Sequence, residues 1–288
     1  MNDFSSAVET IEQILADEKK QSGLKYPALA MLHQHASERA VVFLHGFTNS
    51  PEQFRVFGER FFQQGYNVWI PRQPFHGFED RHGRPLQSFQ IKKYLQDCEQ
   101  AVEIGRHLGR KLIVAGLSGG ANAAIHLAQT RAEIDLAVIM APSLGVQFVP
   151  SVLTRPVVFL LGLLPDRLIW WDDKTKADNP DSPQFAYTAF ATRAMGQMIR
   201  LGQNAKASTR RHFPKARRVL VISNEGDRAV NQTEINQLVT NWKGFPGLVT
   251  YQIPLSAQVP HDFISLGMNA ERNRAMYDTL FELIDRNI

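Results

Sequence analysis

The sequence predicts an α/β protein with a mostly parallel central sheet flanked by helices. Two observations predict it: short apolar runs recur along the chain, and the segments between them carry apolar residues at helical spacing. Residues 40–44 (AVVFL) end in His45-Gly46 and residues 66–70 (YNVWI) end at Pro71, and each reads as a buried strand. Between them Pro51 to Gln64 places Phe54, Phe57, Phe61 and Phe62 on one face of a helix, with Ser50 as its cap. The unit repeats. Ile91, Tyr94, Leu95, Cys98, Val102 and Leu108 follow a helical period, KLIVAG (111–116) reads as a strand, a small-residue helix starts at Gly119, and LAVIM (136–140) is the next strand.

After Met140 this rhythm breaks and resumes only at RVLVIS (218–223). The chain therefore divides into a core of residues 1–140 and 215–288 and a helical cap or lid insertion, 141–214. LVTYQI (248–253) reads as the last strand, and from Asn269 to Ile288 the residues Met276, Leu280 and Leu283 share a helix face.

Bulk properties exclude several classes. Hydrophobic residues at 44% and charged residues at 21% are those of an ordinary globular chain. The net charge of +4 is mild, and its densest cluster (Arg210, Arg211, Lys215, Arg217, Arg218) lacks interleaved aromatics, so it reads as a solvated linker and no nucleic-acid partner is expected. Cys98 is the single cysteine, which leaves no intramolecular disulfide and suits a reducing, cytoplasmic compartment. The first twenty residues carry no signal-peptide stretch, and the longest apolar run, Val157 to Leu164, is too short for the roughly 20 residues of a spanning helix. No stable membrane insertion is expected, although that run would suit contact with a lipid surface.

Gly116-Leu117-Ser118-Gly119-Gly120 satisfies G-x-S-x-G at a strand-to-helix junction. Glycines flank the serine because the turn is too sharp for side chains, and the Ser118 hydroxyl is pushed out above the carboxyl ends of the strands. A neutral serine needs a base within hydrogen-bond reach, and histidine is the usual one. His126 lies on the same helix, about 12 Å away at 1.5 Å per residue. His33, His35 and His107 lie away from the strand tips, and His45 serves the turn before Phe47. His76 and His82 remain open by distance, but His261, in Val259-Pro260-His261-Asp262-Phe263 after the last strand, has the better position. Asp227 follows RVLVIS in Asn224-Glu225-Gly226-Asp227 and is the expected orienting acid, with Glu225 as runner-up; Asp262 is discounted because sequence neighbours in an extended loop point apart. The order Ser118, Asp227, His261 is that of this motif class. The charge that develops on a carbonyl oxygen under attack calls for two donors, the backbone N–H groups of Phe47 and Gly119.

VFLHGFTNSPEQF (42–54), GLSGG (116–120), NEGDRAV (224–230) and VPHDF (259–263) together resemble the α/β-hydrolase family, and HGFTNSP with PRQPFHGF is similar to bacterial carboxylesterases and monoacylglycerol lipase-like enzymes. The resemblance spans residues 40–140 and 215–288. It implies an eight-stranded, mostly parallel sheet, of which six strands are read here, so earlier ones are expected in 24–40. PFHG at 74–77 departs from the PGHG common in the family, which bears on the shape of that loop.

A serine at the elbow points away from dehalogenases and epoxide hydrolases, which use aspartate. The apolar content of the cap, from Val149 through Phe159, Leu161 and Leu164 to Trp171, points to an apolar acyl or alcohol part in a small-molecule ester substrate. Thioester, amide or carbon–carbon cleavage by the same triad are the alternatives, and a non-catalytic ligand-binding protein is the reading from another class. No metal or organic cofactor is expected, since H-E-x-x-H, paired cysteines, G-x-G-x-x-G and P-loop signatures are missing. Oligomeric state is not legible.

Overall fold

The computed structural model describes residues 3–145, 149–171, 183–266 and 270–288, and within the helix at 151–163 it leaves out the side chains of Ser151 and Leu161. In chain order the first elements are α1 (Phe4–Lys19), β1 (Leu29–Met31), β2 (Ser37–Leu44), α2 (Arg55–Gln63), β3 (Asn67–Ile70), α3 (Ile91–Leu108), β4 (Gly109–Leu117), α4 (Gly119–Thr130) and β5 (Leu136–Met140). After them come α5 (Ser151–Leu163), β6 (Leu168–Trp170), β7 (Ala189–Ala191), α6 (Thr192–Ser208), β8 (Arg218–Asn224), α7 (Gln232–Asn241), β9 (Leu248–Ile253) and α8 (Ala270–Asp285).

Seven strands form one sheet in the order β1-β3-β2-β4-β5-β8-β9. All neighbours are parallel except the edge strand β1, which runs antiparallel to β3. This is the expected mostly parallel α/β sheet, and β1 falls in the stretch 24–40 where further strands were sought. Seven strands, against the eight implied by the resemblance, are found among the described residues.

Both faces are buried, which is why the strands read as unbroken apolar runs. Alternation along β2 sends Ala40, Val42 and Leu44 into one core cluster with α1, α3 and α4, and Val41 and Phe43 into a second with α2 and α8. Phe54, Phe57 and Phe61 lie on one side of the first helical segment, as their spacing predicts, and surround Phe43 at ring distances of 4.7, 5.8 and 5.3 Å. Phe62 instead stacks on His33. Ser50 stands at the N-cap position, as expected, but caps only through its backbone. The segment opens with a 3-10 turn, Pro51–Phe54, which Gln53 N–H closes onto the Ser50 carbonyl, and the Ser50 hydroxyl makes no capping bond.

Between β5 and β8 the chain leaves the repeating layers. The short β6–β7 hairpin forms a separate two-stranded sheet. Helix α6 belongs with the core: Ala194, Met198, Leu201 and Ala205 join the first cluster, and Asn122 of α4 donates to the carbonyls of Ser143 and Met198. Helix α5 is different, with Val152, Phe159, Leu160, Leu163 and Leu164 exposed. Residues 146–148 and 172–182 of the expected cap lie outside the described residues, as do the side chain of Leu161 and Asn269, where the last helix was expected to start. Among the described residues no helix is long and apolar enough to cross a membrane.

Candidate active site

Ser118 stands between the last residue of β4 and the first of α4, with φ 56° and ψ −111°. A left-handed φ at a non-glycine residue is strained, and here the surroundings over-determine it. The Ser118 N–H donates to Met140 O at 2.9 Å, and its carbonyl accepts from Asn122 and Ser143. The flanking glycines are required by close approach: a Cβ on Gly116 would lie 2.2 Å from Gly120 O, and one on Gly120 would lie 2.0 Å from Leu44 O. The serine is half-buried while its neighbours are fully enclosed.

The predicted oxyanion donors converge. A Cβ built on Gly119 would sit 3.0 Å from the backbone nitrogen of Phe47, so the two amides are neighbours across the turn. Gly119 opens α4 and its N–H has no partner inside the helix. The Phe47 N–H has no acceptor among the described residues. The N-terminus of α4 adds its partial positive charge at the same place.

His261 Nδ1 lies 2.6 Å from Asp227 Oδ2. The Asp227 side chain is fully buried and also accepts from the Ala229 N–H at 2.8 Å. A hydrogen on Nδ1 pointing at this carboxylate leaves Nε2 as the free lone pair of the ring. Glu225, the runner-up, is exposed and accepts from the Leu255 N–H, so it plays no part in holding the histidine. No hydrogen bond joins Ser118 to His261 among the described residues; both stand at the carboxyl edge of the sheet, after β4 and after β9.

Asp262 points away from the imidazole, as expected, but it is far from idle. It accepts from Ser265 N–H and Oγ–H and from Gln53 Nε2 at 2.8 Å, and Gln53 Oε1 in turn accepts from the Gly46 N–H at 2.7 Å. Gln53 thus joins the turn before Phe47 to the loop that carries His261. Asn224 does the same for the acid loop, donating to the carbonyls of Val259 and Pro260. Sequence reasoning missed both residues, because an amide whose partner is distant along the chain leaves no periodic or motif signal.

Two histidines buttress the turn that carries Phe47. His45 Nδ1 meets the Gly46 carbonyl while Nε2 accepts from the Gln73 N–H, and His76 Nδ1 meets the Pro74 carbonyl while Nε2 accepts from Thr48 N–H. This pattern assigns the neutral Nδ1–H tautomer to both. Burial holds the His45 imidazole well below its ordinary pKa, with His76 beside it adding to the effect, and burial pushes His76 down to about 4. His76, left open on the sequence, is therefore a neutral structural group. In the PFHG departure Phe75 takes φ 65°, the left-handed conformation that a glycine adopts without strain, so the loop accommodates the larger residue.

Thr48, also left-handed at φ 70°, ties this turn to the segment after β5. Its Oγ accepts from Trp171 Nε1 at 3.1 Å and its carbonyl from the Tyr187 N–H at 2.7 Å. Trp171 packs at a tilt on Phe190, ring centroids 4.4 Å apart, and Phe190 lines an apolar cavity of about 180 Å³ with Val157, Val158, Ile169, Met195 and Ile199. Met198, one turn from Met195 on α6, brings its sulfur to 3.3 Å from the Cβ position of Gly119. Among the described residues no three His, Cys, Asp or Glu side chains converge as metal ligands.

A strained serine between parallel strand and helix, a histidine held on a buried aspartate and two adjacent free amides are the arrangement of an α/β-hydrolase. The family described as serine aminopeptidase, S33, matches residues 35–244, more than half of the chain. The chain belongs to this family. It is similar to a thermostable monoacylglycerol lipase of Bacillus sp. (strain H-257), 26% identical over 188 residues that make up 64% of this chain and 70% of the lipase. Among solved structures it resembles a soluble variant of monoglyceride lipase from Saccharomyces cerevisiae, with a TM-score of 0.68, 16% identity and 90% of each chain covered. Monoacylglycerol lipase of Paleococcus ferrophilus matches with a TM-score of 0.61 and 18% identity, over 88% of this chain and 96% of that one. At these identities the two structures establish the shared α/β-hydrolase fold.

Proposed function

We propose that this S33-family chain is a serine hydrolase that cleaves a carboxylic ester with an apolar acyl or alcohol part, with Ser118 as nucleophile, His261 as general base and Asp227 as its orienting acid. The 2.6 Å contact of His261 Nδ1 with the buried Asp227 carboxylate carries this reading, since it fixes the tautomer in which Nε2 can take a proton. The Ser118 oxygen attacks the ester carbonyl as its proton passes to His261 Nε2. The resulting oxyanion is held by the N–H groups of Phe47 and Gly119. Collapse expels the alcohol, which takes the proton from His261 and leaves an acyl ester on Ser118. Water then attacks that ester with His261 again as base, releasing the acid and restoring the serine. The hydroxyl-to-imidazole hydrogen bond forms on substrate binding, as such contacts commonly tighten only in the reacting complex.

The apolar cavity supports the substrate class, as does the lipase relative. Residues 141–214 act as the cap, with α6 as its seam to the core and α5 as its outer wall; the exposed apolar face of α5 suits substrate arriving from a lipid interface. Aminopeptidase action would need a free carboxylate for the substrate's ammonium. Among the described residues the two at the site are engaged, Asp227 on His261 and Asp262 on Gln53 and Ser265. A reducing, cytoplasmic setting suits Cys98, whose thiol burial pushes well above its ordinary pKa.

The test is labelling by a fluorophosphonate probe together with hydrolysis of nitrophenyl esters of graded chain length, and of matched thioesters and anilides. Wild type should label and prefer longer oxygen esters, and Ser118→Ala should do neither. Equal labelling of the two proteins rules out Ser118, and faster turnover of the thioester or anilide moves the reaction class.

A further inference from the structure

A second cavity, of about 280 Å³, lies on the other side of α5, between α5, α6 and α7. Thr154, Val157 and Val158 face the apolar cavity, whereas Val152 and Arg155 face this one. Its floor is the ion pair of Lys206 with Glu234, with side chains only 5% and 1% exposed, to which Gln203 donates at 3.0 Å and against which Gln237 Oε1 accepts from Lys206. Arg155 and Arg210 stand over that floor, and neither has a salt-bridge partner among the described residues. Among the described residues three cations thus meet one carboxylate, leaving two positive charges in a recess whose one acid is already engaged. The Lys206 ammonium registers this excess: burial, then Arg210 and Arg155, push it down to about 8. Arg210 opens the basic cluster that reads as a linker on the sequence. Two others of the cluster are engaged elsewhere, Arg217 on Asp135 and Arg218 on the Asn287 carbonyl.

We infer that this cavity is a phosphoryl-binding site, which takes a phosphate group between Arg155 of α5 and Arg210, in the turn just after α6, above the Lys206–Glu234 pair. A phosphate monoester carries about two negative charges near neutral pH and offers three acceptor oxygens, which matches the two uncompensated arginines and their planar donor forks. The amide nitrogen of Gln237, whose oxygen is held by Lys206, is a further donor at the rim. Occupancy ties α5 to α6 and α7 through the anion. Because α5 is also the wall of the apolar cavity, a bound phosphate steadies that wall without touching Ser118 or His261.

The probe is inorganic phosphate, read by ³¹P line broadening at constant ionic strength set with chloride, on wild type and on Arg155→Gln, Arg210→Gln and the double variant. Both arginines are exposed, so the variants keep the fold, which circular dichroism checks. Wild type should broaden the signal saturably, each single variant should weaken binding about tenfold, and the double variant should lose it. Glycerol 1-phosphate, and sedimentation with phosphatidylcholine vesicles with and without phosphatidic acid, separate the sources. Retention on phosphatidic acid by wild type alone assigns a lipid headgroup, and phosphate binding without retention assigns a soluble phosphate. No saturable broadening, or broadening that survives in the double variant, overturns the site.

Discussion

Gln53→Met removes the bridge between the oxyanion turn and the histidine loop while keeping the shape of the side chain. Gln53 is 2% exposed, so the variant leaves the Gly46 N–H buried without an acceptor and takes one donor from Asp262, which keeps Ser265. An unsatisfied buried N–H costs about 1–3 kcal/mol and a hydrogen bond to a charged group contributes about 1.5–3 kcal/mol, partly offset by burying the methionine. The expected loss is about 2–3 kcal/mol in urea unfolding, or about 4 °C in Tm for a chain of this length. Gly46 adjoins Phe47, so a loosened turn misplaces an oxyanion donor, and kcat for ester hydrolysis should fall about tenfold to a hundredfold with a smaller change in KM. Gln53→Glu separates position from bulk. One carboxylate oxygen can still accept from Gly46, but the other faces Asp262, and two carboxylates there share a proton. Its activity relative to wild type should therefore rise as pH is lowered from about 8 to about 6. A Gln53→Met protein within twofold of wild type in kcat and about 0.5 kcal/mol in stability, or a flat ratio for Gln53→Glu, refutes the bridging role.

Two more outcomes follow from the site. Asp227→Asn should lower kcat by orders of magnitude, since the amide favours the wrong imidazole tautomer, whereas Glu225→Gln should leave it within about twofold; the reverse result in steady-state assays moves the acid role to Glu225. Acid should loosen the oxyanion turn. His76 has its folded pKa depressed to about 4, so the unfolded chain binds the extra proton between about pH 6.5 and pH 4, and the stability present above that window is lost as pH falls through it. The contribution is about 3 kcal/mol, and His45 acts in the same direction. Urea unfolding from pH 7.5 down to pH 4.5 should give His76→Gln a shallower acid slope than wild type; equal slopes would count against a buried neutral imidazole.

The sequence alone determined the layered α/β core, because strands buried on both faces must be apolar throughout and helices packed on them must repeat every three to four residues. It also determined where the proposed site lies, since the sharp turn at Ser118 tolerates only glycine at 116 and 120, and the loops of Asp227 and His261 follow strands. Tertiary structure decided what depends on contacts between distant segments. It turned Asp227 inward against His261 and left Glu225 in solvent. It placed Phe47 beside Gly119, gave Phe75 a backbone conformation its type disfavours, and left the Ser50 hydroxyl without the capping bond its position suggested. It joined Gln53 to Asp262, Trp171 to Thr48, and Lys206 to Glu234. Each of these rests on one or two hydrogen bonds or charges across long sequence separation, where neither periodicity nor local motif constrains the residue, and only the packed fold brings the partners within reach.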